Sequence, residues 1–420
     1  MGCSERCVRA LWSVVFRALV FVLAALPAYA ADEGVAVPGG VRYQLIGTYD
    51  RERLEKIAGD ELKEFMSITT QPDDYLGSFP APKYVVKLYK ITYPSVVPER
   101  SNQPTIASGL LAVPDGAASA LPMISYQHGT VFDRTYVPSQ PENSTETRLM
   151  LAGFASQGYI VIGADYFGRG DSDLPDSYLV KASTQQATYD MLLAARSVLS
   201  ALGTAPTQLF LSGWSQGGWA TMAFLQKLEN VGEPVTAAAV ASGPMDISLL
   251  VNRWANNPQP VDAVYLPAAL AIQLQAKAYY NEMSHIEDAA IRTDYLAAAR
   301  DFYAGRIDYW AFAKKTPVKL ADFLTDSFRA DIAAGRGPYW QLLDASQVYR
   351  WRRKTPVRSW YGGVDEVTPV ALAELPVLAS TLTGGAAFEA LDAGAKADHR
   401  AVFIRAILDQ KPWFDGLLAP

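Results

Sequence analysis

The chain has 420 residues, 50% of them hydrophobic and 19% charged, with 30 Gly and 26 Pro. That is the composition of an ordinary globular protein, and it excludes collagen-like, disordered and polytopic membrane classes. The formal net charge of −6 gives no electrostatic footprint for DNA or RNA, so nucleic acid is not expected as a partner.

Residues 1–30 have the three parts of a secretory signal. Arg6 and Arg9 supply the positive end, residues 18–26 a short apolar run, and Ala28-Tyr29-Ala30 a small-x-small cleavage site. A membrane anchor is the alternative reading, but Arg17 interrupts an apolar run already too short to span. Met1-Gly2 does not start a myristoylation site, because Arg6 stands where Ser or Thr is required. A secreted or periplasmic protein is therefore expected. Both cysteines, Cys3 and Cys7, fall within this segment, so the rest of the chain is expected to have no disulfide, Cys-ligated metal or Cys nucleophile. Any mechanism that needs an imidazole must choose among His128, His285 and His399.

Taken in order, residues 49–66 read as a charged amphipathic helix (Leu54, Ile57, Leu62, Phe65). Residues 84–93 alternate like a strand, and 106–113 read as its neighbour, ended by Pro114-Asp115-Gly116. The pattern then changes to short apolar runs at 123–126, 159–164, 208–212, 236–241, 357–361 and 388–391. Helix-length segments at 146–157, 182–202, 216–228 and 369–382 lie between them. Alternation of this kind predicts an α/β fold with a mostly parallel, doubly wound sheet, and chemistry at the carboxyl ends of the strands. One stretch breaks it: residues 247–354 read as helical throughout (268–278, 285–304, 318–334) and are rich in Trp and Tyr. The expected organisation is a signal over 1–30, core over 31–246 and 355–420, and a helical cap over 247–354; a second packing domain is the alternative for the insertion.

Gly213-Trp214-Ser215-Gln216-Gly217 matches G-x-S-x-G, a weak pattern alone. Here a predicted strand precedes it and a helix-compatible segment follows, the setting in which a sharp turn lifts a serine hydroxyl above a sheet. A serine needs a base. His399 follows the last predicted strand and opens a helix, whereas His285 reads as an exposed residue of the insertion. The base needs an acid to fix its tautomer. Asp365 follows strand 357–361 in Gly362-Gly363-Val364-Asp365-Glu366, with a helix cap as its bland alternative. Glu366 is its adjacent competitor, and Asp246 after an earlier strand is another.

The order Ser215, Asp365, His399 is that of the α/β-hydrolase triad. From about residue 84 to its end the chain resembles that superfamily, and more narrowly its secreted lipase and esterase branch with a helical cap. The segments that carry the resemblance are 213–218, 362–369, His399 and Tyr126-Gln127-His128-Gly129-Thr130. It implies backbone donors to an oxyanion from Thr130 (or Gly129) and from Gln216, although only one Gly follows His128. It also implies that 165–172 is a loop that shapes the site. His128 itself reads as structural.

Other signals are bland. Arg350, Arg352, Arg353 and Lys354 read as a solvated basic face, and Asn143-Ser144-Thr145 is a glycosylation sequon that matters only in a eukaryotic secretory route. No metal site and no cofactor are expected. The combined expectation is a secreted serine hydrolase of carboxylic esters, lipase or esterase in type, acting on a small-molecule or lipid ester and open to transient contact with a lipid surface. A serine peptidase of the same fold and a non-catalytic binding protein are the alternatives. Oligomeric state is left open.

Overall fold

The computed structural model describes residues 34–67, 77–281 and 283–418, so the signal expected over 1–30 lies outside the described residues. Ten strands form one sheet: β1 (Val35–Val37), β2 (Val41–Tyr49), β3 (Val85–Val97), β4 (Gln103–Asp115), β5 (Ala120–Gln127), β6 (Ile160–Ala164), β7 (Ala205–Trp214), β8 (Ala237–Ala241), β9 (Val357–Tyr361) and β10 (Phe388–Asp392). Their order is β1-β2-β3-β4-β6-β5-β7-β8-β9-β10. The pairs from β1 through β4 to β6 are antiparallel, and every pair beyond is parallel.

The central parallel strands β6 and β8 are continuous apolar runs because both faces are covered, whereas β9 and β10 carry Arg358 and Glu389. Period-two alternation sends Met123, Leu211, Ala238 and Val240 to one face, and Ile124, Phe210, Ala237 and Ala239 to the other. Among the described helices outside the insertion, α4 (Lys181–Ala201) and α5 (Gln216–Val231) belong to the first face. On the second lie α1 (Arg51–Lys56), α2 (Leu62–Ser67), α3 (Thr145–Gly153) and α15 (His399–Asp415). A further helix, α14 (Val370–Thr383), joins β9 to β10.

Between β8 and β9 the described chain forms eight helices joined by loops, with an isolated bridge from Ile291 to Leu324. Its elements are α6 (Ile247–Asn256), α7 (Leu266–Tyr280), α8 (Ile286–Ala290), α9 (Thr293–Tyr303), α10 (Tyr309–Ala313), α11 (Leu320–Phe323), α12 (Asp326–Ala333) and α13 (Gly337–Ala345). Among the described residues no helix is long and apolar enough to cross a membrane.

Several sequence expectations are corrected. Tyr49 ends a strand; the helix begins at Arg51 because Asp50 accepts a hydrogen bond from Arg53 N–H at 2.8 Å, and a π turn at Ile57–Glu61 interrupts it. Strand β4 runs past Pro114. That residue lies beyond the β6 ladder, which covers only Gly109–Ala112, on a stretch paired on one side alone. The helix expected over 285–304 breaks into α8 and α9. His285 itself precedes α8 with φ of 66°, and its side chain is exposed. The basic run is not wholly solvated: Arg353 is 2% exposed, its guanidinium packed over the Phe388 and Trp351 rings.

Candidate active site

Five strand ends on the carboxyl edge of the sheet carry the candidate residues. Thr130 follows β5, Ser215 follows β7, Ser242 follows β8, Asp365 follows β9 and His399 follows β10.

Ser215 occupies the single residue between β7 and α5, with φ 58° and ψ −125°. This is a region that costs a non-glycine residue about 1–3 kcal/mol. The surroundings impose it. Ser215 N–H donates to Ala241 O at 2.9 Å, and Ser215 O accepts from Gly218 N–H at 2.9 Å and Trp219 N–H at 3.2 Å. The turn also requires its flanking glycines. A Cβ on Gly213 would collide with Gly217 O and Thr221 Oγ1, and one on Gly217 with Gln127 O. The sequence pattern is thus a packing requirement that lets the β5 loop close against the elbow.

Asp365 and His399 are both buried. His399 Nδ1 donates to Asp365 Oδ1 at 2.9 Å and lies 3.1 Å from Oδ2. The carboxylate is saturated from the other side: Oδ1 accepts from Val367 N–H at 2.9 Å and Thr368 N–H at 2.8 Å, and Oδ2 from Ser242 Oγ at 2.6 Å. Burial pushes the Asp365 carboxyl up, but the adjacent His399, with Ser242 and Thr368, outweighs it and holds it below the usual carboxylate range. Burial equally disfavours the His399 imidazolium, yet Asp365, helped by Glu366 and Asp398, raises its pKa above the ordinary histidine value. With Nδ1 committed to Asp365, Nε2 is buried without a hydrogen-bond partner among the described residues, Ser215 Oγ included. Such contacts are often long until substrate binds.

The competing acids are engaged elsewhere. Glu366 accepts the His399 backbone N–H at 3.0 Å. Asp246 caps α6 through Leu249 N–H at 3.1 Å and accepts from Arg350 at 2.9 Å and Tyr349 at 3.1 Å. The ring of His399 is further braced by Trp214, whose indole N–H donates to His399 O at 3.0 Å and whose ring lies 5.1 Å away.

His128 is wedged in the β5 loop: its ring stacks on Tyr166 at 4.3 Å, Nδ1 is 2.8 Å from Gly129 O, and Nε2 is 3.3 Å from Asp165 O. Burial lowers its pKa to about 4. Of the alternatives Gly129 and Thr130, the Gly129 N–H is taken, donating to Glu146 Oε1 at 2.8 Å. Neither Thr130 N–H nor Gln216 N–H has a partner among the described residues. Both residues line one narrow cavity with Ser215. Its walls include Tyr178, Pro244, Ile247, Leu250, Trp254, Tyr265, Leu270 and Val367, and no charged side chain. The insertion contributes most of that lining.

No protein-family model matches the sequence, and no curated protein does. Solved structures do. A Legionella pneumophila protein aligns with a TM-score of 0.77 at 24% identity, over 90% of this chain and 97% of that one. The rice cell wall degrading esterase LipA from Xanthomonas oryzae aligns at 0.74 and 22% identity, over 88% of this chain and 95% of that one. Candida antarctica lipase A in its closed state aligns at 0.62 and 16% identity, over 80% and 79%. The chain has the α/β-hydrolase fold.

Within that α/β-hydrolase fold three participants carry no signal in the sequence. Ser242, at φ 47°, braces Asp365 from the end of β8. Tyr178 shares a hydrogen bond of 2.9 Å with Thr130 Oγ1 in the cavity wall. Glu146 holds the β5 loop from α3. Serine, tyrosine and glutamate are common surface residues, and only the fold brings these three inward.

Proposed function

We propose that the protein is a serine hydrolase of carboxylic esters. The observation that carries the reading is the buried Asp365–His399 hydrogen bond, which leaves His399 Nε2 without a partner near an elbow that holds Ser215 in a strained backbone. In this reading Ser215 Oγ attacks the ester carbonyl carbon while Nε2 takes its proton, and Asp365 stabilises the imidazolium. The negative charge that develops on the carbonyl oxygen is met by the Thr130 and Gln216 N–H groups. Collapse breaks the bond to the leaving alcohol, which receives the proton from Nε2. Water then attacks the acyl-serine by the same proton path, releasing the acid and restoring Ser215.

The cavity supports an uncharged acyl group, since its walls are apolar and aromatic with no charged side chain. We assign residues 247–354 the role of a cap, because α6 and α7 supply those walls. The esterase and lipase among the fold's structural relatives support the ester reading. Residues 1–30 would direct the chain out of the cytoplasm.

The test is hydrolysis of p-nitrophenyl esters from acetate to palmitate, with Ser215→Ala and a peptide amide run alongside. The expected result is ester turnover that the substitution abolishes, and the chain-length profile separates esterase from lipase. Amide cleavage without ester turnover would move the assignment to a peptidase.

A further inference from the structure

Glu146 lies in the first turn of α3, buried beneath the loop that follows β5. Its Oε1 accepts the Gly129 N–H at 2.8 Å and also the Tyr126 hydroxyl. At the other end of the same residue, Gly129 O lies 2.8 Å from His128 Nδ1. A trans peptide is planar, with its C=O and N–H pointing opposite ways. Fixing Gly129 O therefore turns Thr130 N–H to the reverse side, away from His128. Glycine alone would not hold this geometry, because it has no Cβ to restrict its dihedrals. The restraint comes from outside, through Glu146 on its N–H and His128 at its O; an added Cβ there would crowd Glu146 Oε2 and the Trp214 ring, each at 3.3 Å.

We propose that Glu146 is a positioning residue for the ester reaction, holding Gly129 N–H so that Thr130 N–H is the loop donor that faces the oxyanion at Ser215. The inference rests on the ester-hydrolase reading. Glu146 touches no reacting atom and acts through the loop. Tyr126 of β5 and Gly129 hydrogen-bond its carboxyl, and Tyr166 of the loops and His399 and Arg400 of α15 act on it electrostatically. Burial raises its pKa to about 7, so a neutral amide is a fair replacement for the acid.

The experiment compares kcat and KM for p-nitrophenyl butyrate in the full chain, in Glu146→Met and in Glu146→Gln, with thermal unfolding as the folding check. Methionine keeps the size and removes the acceptor; the glutamine amide oxygen keeps it. The expected result is kcat lower by about 10²-fold in Glu146→Met, the scale of a displaced oxyanion donor, with KM within about twofold. Glu146→Gln is expected within about threefold of the unaltered protein in both constants. Where Glu146→Met does not fold, Glu146→Ala serves as the second variant with the same expectation. Unchanged kcat in the acceptor-free variant, an equal loss in both variants, or a loss that falls on KM would overturn the positioning role alone. Absence of any Ser215-dependent ester turnover in the unaltered protein would overturn the underlying reading, and this proposal with it.

Discussion

His399 Nδ1 sits 2.9 Å from Asp365 Oδ1, and both side chains are buried. Every other hydrogen bond to that carboxylate comes from a donor: Ser242 Oγ, Val367 N–H and Thr368 N–H. The site therefore favours an acceptor at position 365; an amide there would keep its oxygen on Val367 N–H and Thr368 N–H and turn its NH₂ toward His399 Nδ1 and Ser242 Oγ, which would have to accept. Asp365→Asn is expected to place His399 in the wrong tautomer and to reduce kcat on the order of 10⁴-fold. The pH profile supplies an independent check. In the proposed mechanism His399 works as a neutral base, and Asp365 raises its pKa. Activity is therefore present above that raised value and lost as pH falls through it. In Asp365→Asn the residual acid limb of kcat/KM should move to lower pH; an unmoved limb would count against the pairing as the source of the shift.

Ser215 is presented at the elbow by a backbone at φ 58° and ψ −125°. Glycine tolerates positive φ at no steric cost. Ser215→Gly should therefore be inactive yet more stable than Ser215→Ala by about 1–3 kcal/mol in denaturant unfolding. Equal stability of the two variants would mean that the elbow stores no strain.

His128 gives an acid-stability prediction. Burial lowers its folded pKa from 6.5 to about 4, so folding favours the neutral ring. The associated stability is complete above pH 6.5 and lost as pH falls from there toward 4. The shift corresponds to roughly 3 kcal/mol. Glu146, its pKa raised to about 7, acts in the opposite sense over the same window, so the His128 contribution is read as a difference. In urea unfolding, the stability of the unaltered protein should fall relative to that of His128→Gln by about that amount as pH drops from 6.5 toward 4. Parallel curves for the two proteins would contradict the assignment.

Much of the parallel half of the sheet is legible in the sequence: β6 and β8 are buried throughout and read as uninterrupted apolar runs, and β9, though it carries Arg358 and Ser359, begins and ends at the expected residues 357–361. In the antiparallel part, β3 and β4 are anticipated by the stretches 84–93 and 106–113, but β1 and β2 are not. In β2, Leu45 and Ile46 are both exposed and the register shifts between Leu45 and Gly47, so no clean alternation survives. The glycines around Ser215 are legible because each is required by a collision that any Cβ would cause. Among Asp365, Glu366 and Asp246, each of which follows a strand, the sequence favours Asp365 by its setting but does not show what each carboxylate meets. Geometry separates them: one carboxylate meets the ring of His399, one its backbone, and one the guanidinium of Arg350. Arg353 reads as surface because its neighbours are charged, yet it lies over Phe388 under the backbone of the α14–β10 turn.

The central claim is that Ser215 is a nucleophile activated by His399. The most direct measurement is covalent labelling of the folded protein with a fluorophosphonate, followed by intact mass and peptide mapping. One adduct per chain is expected, located on Ser215, absent in Ser215→Ala and formed at least about 10²-fold more slowly in His399→Ala. No adduct, an adduct on another residue, or an unaltered labelling rate in His399→Ala would contradict the claim.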